Sequence, residues 1–96
     1  MTVPTPLTFY ILLALAEGDS CPAEIRRQIA RDAASTFIPE EGALYRALKR
    51  LVAEGLIEPA AKLGANYYRL SRPGRVVLVS ERARVGRAAT LLHQRV

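Results

Sequence analysis

The chain has 96 residues, 50% of them hydrophobic, and carries a formal net charge of +5. This length allows one domain with a modest core, and the hydrophobic fraction excludes a disordered chain. The single cysteine excludes an intrachain disulfide, and the longest apolar run, residues 9–16, is too short to cross a bilayer. The charge predicts a polyanionic partner, although an arginine-rich chain from a GC-rich genome would also be basic.

Two helices are predicted in the first third of the chain. The first begins after a Thr5 cap, with Pro6 in its first turn, and ends at Gly18. The second is predicted to begin after a Ser20 cap and to run to about Asp32. Its two faces differ in polarity. The isoleucines Ile25 and Ile29 are predicted to point inward, and the arginines Arg26, Arg27 and Arg31 outward.

A third helix is predicted to open at Pro39 and to end at Gly55, after a short β-prone connection at Thr36 to Ile38. Its apolar side chains recur at three- and four-residue spacing and form one stripe. Three cations lie off that stripe and face solvent or a ligand. The stripe consists of Leu44, Ala47, Leu48, Leu51 and Val52, and the cations are Arg46, Lys49 and Arg50.

A β-hairpin and a last helix complete the predicted order. The strands are Leu56 to Pro59 and Tyr67 to Leu70, and the loop between them carries Lys62, Gly64 and Asn66. Alternation places Tyr68 with Leu70 on one face and Tyr67 with Arg69 on the other. Ser71 caps a helix that starts near Pro73 and can reach Arg95, a length of about 35 Å.

This order of elements predicts a mainly α fold with a small β-wing, a winged helix-turn-helix plus a long C-terminal dimerisation helix. Residues 1–72 would form the DNA-binding domain and residues 73–96 the dimerisation helix. In such a fold the third helix enters the major groove of double-stranded DNA, and the loop of the wing touches phosphate. The predicted DNA-binding residues are Glu41, Gly42, Tyr45, Arg46, Lys49, Arg50, Lys62, Asn66 and Arg69.

Within this set the expected roles differ. Arg46 is predicted to contact a base edge, because the arginine fork matches guanine, and Glu41 to restrict the neighbouring base. Arg50, farther along the helix, is predicted to contact phosphate or to make an intramolecular contact. Tyr45 could pack in the core or donate its hydroxyl to DNA. A cationic face that is merely solvated remains the alternative.

The first helix predicts a homodimer, because Tyr10 to Ala16 is apolar all round and needs a second layer. In the last helix Leu78, Val85 and Leu92 lie seven residues apart, as in a short coiled-coil seam. The alternative is a lone amphipathic helix that folds back on its own domain. The predicted interface residues are Phe9, Tyr10, Leu13, Leu78, Val85 and Leu92.

The chain resembles the PadR-like family of bacterial transcriptional regulators. The motifs that carry the resemblance span residues 5–75: Thr5-Pro6-Leu7, the apolar run 9–15, Gly42 with Leu44-Tyr45, Leu48-Lys49-Arg50-Leu51, Glu54-Gly55-Leu56-Ile57, Tyr67-Tyr68-Arg69-Leu70-Ser71 and Gly74-Arg75. The resemblance implies a dimer that exchanges its first and last helices. It also implies that an aromatic small molecule could bind as an effector in apolar space at the dimer interface.

Five positions at three sites depart from the family pattern. Ala43 replaces a hydroxyl residue, Glu40 and Glu41 replace small neutral ones, and Pro22-Ala23 replaces a Gly-Tyr pair. These changes predict altered specificity, weaker DNA binding, or a winged helix recruited for protein contact.

No catalytic function is predicted, and no cofactor or metal. His93 is the only histidine and Cys21 the only cysteine, so one chain cannot assemble a metal-ligand set from them. Cys21 could be a low-pKa thiol near a helix N-terminus, or a small packing residue. The predicted function is a cytoplasmic, nucleoid-associated repressor that binds a pseudo-palindromic operator as a homodimer, with no membrane partner. The alternatives are a protein-interaction module and a basic architectural protein.

Overall fold

The computed structural model describes residues 5–34, 37–62 and 65–94, with side chains except those of residues 61, 62, 65 and 85–94. The predicted combination of a mainly α fold with a small antiparallel hairpin is confirmed. The elements in chain order are α1 (Pro6–Ala16), α2 (Pro22–Asp32), α3 (Glu41–Ala53), β1 (Ile57–Lys62), β2 (Ala65–Leu70) and α4 (Arg72–Gln94).

One apolar core joins α1, α2, α3, the sheet and the start of α4. The inward isoleucines of α2 and the apolar stripe of α3 are buried as predicted, except Val52, which is half-buried at the edge of the core. Each fully buried side chain of this size contributes about 1.5–3 kcal/mol to folding, before the entropic cost of ordering the chain. The core consists of Ile11, Leu12, Ala14, Leu15, Ile25, Ile29, Leu44, Ala47, Leu48, Leu51, Ile57 and Leu78.

The start of α2 differs from the prediction. Ser20 is not the cap, because its backbone pairs with Tyr68: each N–H donates to the other's carbonyl, at 3.1 and 2.9 Å. Ser20 therefore forms an isolated antiparallel bridge with β2, beside the two-stranded sheet. The N-cap is Cys21, whose N–H donates to the Glu24 carboxylate at 3.1 Å. This hydrogen bond is the main reason that the pKa of Glu24 lies below its usual range.

The start of α3 also differs. The helix begins at Glu41 with Glu40 as N-cap, so Pro39 lies before it and does not open it. The carbonyl of Pro39 accepts a hydrogen bond from Arg26 Nε at 3.0 Å. This bond ties α2 to the segment before α3. Ile38 lies in this irregular connection with 56% of its surface exposed.

The junction between α3, the sheet and α4 is held by small residues. Gly55 ends α3 as predicted, in the left-handed region at φ +76°. Ser71 caps α4 by accepting from the Gly74 N–H at 3.1 Å, and its own hydroxyl donates to the Gly55 carbonyl at 2.6 Å. A Cβ on Gly74 would lie 1.9 Å from the Leu56 carbonyl oxygen, so only glycine fits there.

The two strands pair antiparallel, with Ile57 opposite Leu70 and Lys62 opposite Ala65. β1 therefore extends three residues beyond its predicted end at Pro59. Lys62 and Asn66 belong to strands rather than to the loop, because both strands are longer than the sequence suggested. The loop residue Gly64 lies outside the described residues.

Candidate nucleic-acid interface

The side of α3 opposite the core carries the exposed side chains of Tyr45, Arg46, Lys49 and Arg50. Because Leu44 and its stripe are held in the core, the rotation of the helix about its axis is set, and these four must point outward. Tyr45 is 45% exposed, which excludes the core-packing alternative for its ring. The cations of α3 are therefore exposed, as the sequence predicted. That they bind DNA remains a prediction.

Arg46 extends toward the N-terminus of α3, as helix side chains do. Its Nη1 lies 3.1 Å from the position that a Cβ on Gly42 would occupy, and Glu40 Oε1 lies 3.3 Å from the same position. The Arg46 guanidinium and the Glu40 carboxylate therefore both lie next to Gly42, which has no side chain. The sequence predicted that Glu41 restricts the base beside Arg46, and the carboxylate that the structure places next to Gly42 is that of Glu40.

Arg50 makes intramolecular contacts. Its Nη2 donates to Thr8 Oγ1 on α1 at 2.8 Å, and its Nε lies 3.6 Å from Glu54 Oε1. The intramolecular alternative for this residue therefore fits the structure better than a free phosphate contact. Thr8 was missed by the sequence reasoning, because no local pattern links residues that are 42 positions apart.

Two polar residues of the wing, Asn66 and Arg69, are exposed. Arg69 is exposed and lies directly opposite Glu58 in the register, so its positive charge has an acidic neighbour. Asn66 is exposed near the end of the hairpin. The side chain of Lys62 lies outside the description. As predicted from alternation, Tyr68 packs against the core and Arg69 faces away from it.

A second surface lies on α1, on the side of that helix that the core leaves half-buried. Phe9, Tyr10 and Leu13 pack at the edge of the core. Tyr10 stacks on Phe37 with ring centroids 6.0 Å apart, and Phe9 meets Tyr10 edge-on at 5.8 Å. Phe37 was absent from the predicted interface; its position in the connection before α3 has no periodic signal.

The predicted seam on α4 needs a correction at Leu78. Only 3% of this side chain is exposed in the single chain, because it packs into the core with α1. The exposed apolar side chains at the start of α4 are instead Val76 at 59% and Val79 at 62%. Val85 and Leu92 lie within α4, but their side chains lie outside the description.

No three His, Cys, Asp or Glu side chains among the described residues cluster as metal ligands would. Cys21 is a free, half-buried thiol at the N-cap of α2. None of the described helices combines the length and apolarity that a membrane span requires.

The sequence profile of the family described as "Transcriptional regulator PadR-like family" matches residues 11–80. The chain belongs to this family. Within the PadR-like family profile lie α2, α3 and the hairpin, so the match includes the cationic face of α3 and the pairing of the two strands. No curated protein sequence matches the chain significantly.

Solved structures agree with the assignment to PadR-like regulators. A PadR family transcription regulator from Clostridium difficile shares 26% identity and a TM-score of 0.80, over 94% of this chain and 97% of that chain. A transcriptional regulator from Clostridium thermocellum shares 24% identity and a TM-score of 0.78, over 92% and 87%. Bacillus subtilis PadR, solved in complex with operator DNA, shares 23% identity and a TM-score of 0.69, over 79% and 46%. These likenesses confirm the winged-helix fold.

Proposed function

We propose that the protein is a repressor that binds a pseudo-palindromic operator as a homodimer. The observation that carries this proposal is the outer face of α3. It presents Tyr45, Arg46 and Lys49 to solvent from a helix whose opposite face is locked in the core. A rigid cationic helix beside a two-stranded wing has the geometry with which winged helices read the major groove.

In this proposal the residues of α3 have different roles in DNA binding. Arg46, in the N-terminal half of the helix, contacts a guanine edge, and Gly42 leaves room for its guanidinium. Lys49 and Tyr45 contact phosphates, and the wing adds phosphate contacts from Lys62, Asn66 and Arg69. Arg50 holds α3 against α1 through Thr8 and contributes positive potential. Glu41 and Glu40, at the N-terminus of α3, select against wrong bases near Arg46.

The proposed homodimer is supported by the apolar surface formed by α1 and the start of α4. Phe9, Tyr10 and Leu13 on α1 and Val76 with Val79 on α4 are apolar side chains that the single chain leaves half-buried or exposed. Apolar patches of this kind usually mark an interface. A two-fold axis through them would carry two α3 helices to successive major grooves. An aromatic effector would bind beside the Phe9 and Tyr10 rings. We place the protein in the cytoplasm, with the nucleoid.

Selection of binding sites from random duplexes with purified protein tests this function. A repressor yields an inverted-repeat motif whose half-sites lie about one helical turn apart. A dimer that neutralises about 6–8 phosphates should lose roughly a thousandfold in affinity between 50 and 200 mM salt while keeping its preferred motif.

Two outcomes would contradict the proposal. An architectural protein would bind duplexes without an enriched motif. A protein-interaction module would show no duplex affinity even at low salt.

A further inference from the structure

An open groove lies on α2, bounded by one face of this helix and by the connection before α3. Its volume is about 430 Å³. The four residues of α2 that line it are at positions i, i+3, i+4 and i+7, which places them on one side of the helix. Ile38 of the connection completes the lining, which consists of Ala23, Arg26, Arg27, Ala30 and Ile38.

The apolar part of the lining suits the close approach of another helix. Ala23 and Ala30 lie about two helical turns apart and carry only a methyl group each, so a partner backbone can come near α2. Ile38 is 56% exposed and does not belong to the core cluster of the described residues. Aliphatic side chains on a partner would remove this surface from water.

The polar part of the groove is cationic. Arg26 Nε donates to the Pro39 carbonyl at 3.0 Å, which restrains this side chain and reduces the entropy that it loses on binding. The carboxylate close to Arg27 is that of Glu24, and it already accepts from the Cys21 N–H at 3.1 Å. None of the lining residues that the structure describes is acidic. The charge of the groove therefore suits a negatively charged partner.

We propose that this groove of α2 is a docking site for an acidic amphipathic helix of a partner protein. Aliphatic side chains of that helix cover Ile38 and the two alanines, and its carboxylates accept charge-assisted hydrogen bonds from Arg26 and Arg27. Arginine matches a carboxylate with two parallel donors, which fixes the orientation of the partner as well as attracting it.

Two other occupants fit the groove less well. A DNA phosphate would pair with the arginines but would leave Ile38 and the alanines in water, so the apolar half of the lining favours a protein. A second copy of the chain would bring a net charge of +5 to a cationic groove, and like charges repel.

The relation of this site to DNA binding rests on the proposed function. None of the lining residues belongs to α3 or to the hairpin. A partner helix on α2 should therefore leave Tyr45, Arg46 and Lys49 available to DNA. A regulator bound to its operator could then hold the partner protein at the same time.

The first experiment uses no DNA, so it stands apart from the proposed function. The full chain is used to select from a phage-displayed library of helical peptides of about 15 residues, randomised along one face. Enriched peptides should carry carboxylates and aliphatic side chains at three- and four-residue spacing. The best peptide, made synthetically, should bind with a dissociation constant of about 100 µM or below, and its glutamate-to-glutamine version about tenfold more weakly. No enrichment, or enrichment without carboxylates, would overturn the proposal.

Two variants with the same change of net charge locate the binding of that peptide. Arg27→Gln removes a cation of the groove, and Arg72→Gln removes an exposed cation at the start of α4. Arg27→Gln should weaken the peptide about tenfold, and Arg72→Gln should change its affinity less than about twofold. An equal loss in both variants would show attraction to the overall charge and would contradict a docking groove.

Two further variants test the apolar side chain and the position of the partner. Ile38→Gln, at an exposed position, should weaken the peptide about fivefold or more, because its aliphatic contact is lost. Ala23→Glu places a carboxylate in the groove near the N-terminus of α2, where the helix dipole favours it, so the protein should fold and lose the acidic peptide. Parent-like peptide affinity in both variants would refute the groove as the site.

Duplex titration separates the docking site from an additional DNA contact. The peptide should bind the complex of the protein with its selected duplex, and Arg27→Gln should weaken duplex binding no more than Arg72→Gln does. Mutual exclusion of peptide and duplex, with a larger loss in Arg27→Gln, would assign the groove to DNA phosphates and overturn the proposal. Peptide binding by a protein without duplex affinity would refute the proposed function and leave the docking site standing.

Discussion

The helices α1 and α3 pack against the same core, but their outward-facing side chains differ in polarity and charge. Ile11 and Leu12 on α1 are buried as completely as Leu48 on α3. The outer side of α1 is apolar and aromatic, whereas the outer side of α3 carries Arg46 and Lys49. Burial therefore explains why both are helices in this fold but does not distinguish their roles. The chemistry of the outer faces does: an apolar face suits a protein partner and a cationic face suits a polyanion.

The two helices are nevertheless linked. The Arg50 guanidinium on α3 donates to the Thr8 hydroxyl near the start of α1, and Thr8 also accepts from Thr5 Oγ1 at 3.1 Å. A shift of α1 would therefore move a group on α3. The predictions below separate the shared core, the two outer faces and this link, from the largest expected effect to the smallest.

Replacing Leu48 by alanine should damage both helices together. Its side chain is fully buried in the core, so the change should reduce the free energy of unfolding by about 2–5 kcal/mol. The neighbouring change Lys49→Ala, at an exposed position, should cost less than about 0.5 kcal/mol. Urea denaturation measures both. A loss below about 1 kcal/mol for Leu48→Ala would contradict the core described here.

A charge placed on each outer face should separate the two roles. Leu13→Glu puts a carboxylate on the apolar side of α1 and should weaken the dimer by about 3 kcal/mol or more, because the charge would be buried without a partner. Lys49→Glu should leave sedimentation unchanged and weaken duplex binding instead. Sedimentation and duplex titration of both variants make the comparison. A monomeric parent protein at micromolar concentration would refute the dimer.

The α3 face should contain one base reader among its cations. Arg46→Ala should cost about 1–3 kcal/mol on the preferred duplex and relax the preference at one position per half-site. Lys49→Ala should weaken all duplexes alike and flatten the salt dependence. Arg46→Ala with an unchanged selected motif would reduce Arg46 to a phosphate contact.

The carboxylates of Glu40 and Glu41, at the start of α3, can be compared by the same substitution. Either Glu40→Gln or Glu41→Gln should raise affinity for nonspecific DNA, since each removes a negative charge near phosphates. Because Glu40 shares the space above Gly42 with Arg46, the larger change in base preference should come from Glu40→Gln.

The hydrogen bond between Arg50 on α3 and Thr8 on α1 should be measurable as a coupling free energy between the two residues. Thr8→Val removes the hydroxyl that accepts from Arg50, at nearly unchanged side-chain shape. In a double-mutant cycle with Arg50→Met, the coupling free energy should be about 0.5–1.5 kcal/mol. Glu54→Gln provides a control on the exposed ion pair of Arg50, for which a smaller effect is expected. Additive effects of Thr8→Val and Arg50→Met would show that the hydrogen bond contributes nothing.

The smallest effect concerns pH. The Cys21 N–H lowers the pKa of Glu24 in the folded protein, so the folded state binds that proton less readily than the unfolded chain. The resulting stabilisation is present above the unfolded glutamate pKa of about 4.3 and is lost as pH falls through the lower folded value. Thermal unfolding should therefore show a smaller loss of stability between about pH 5 and pH 3 for Glu24→Gln than for the parent. Identical pH profiles would exclude this contribution.

Local patterns were sufficient for the order of the elements. The spacing of Leu44, Leu48 and Leu51 predicted both the helix and its buried side, because helical periodicity records burial directly in the sequence. Thr5, Gly55 and Ser71 were assigned correctly as helix ends, since caps depend on the few residues around them. The charge of the α3 outer face followed from the same periodicity.

The tertiary structure decided what depends on groups far apart in the chain. Ser20 pairs with Tyr68 instead of capping α2, and Arg50 reaches Thr8, because each partner lies more than forty residues away. Leu78 turns inward rather than toward a partner, since α1 offers it a place in the core. The sequence by itself thus determined which faces are apolar or cationic, through periodicity. Only the packing of distant segments decided which of these faces were already covered and which remain open to DNA, to a second chain or to a ligand.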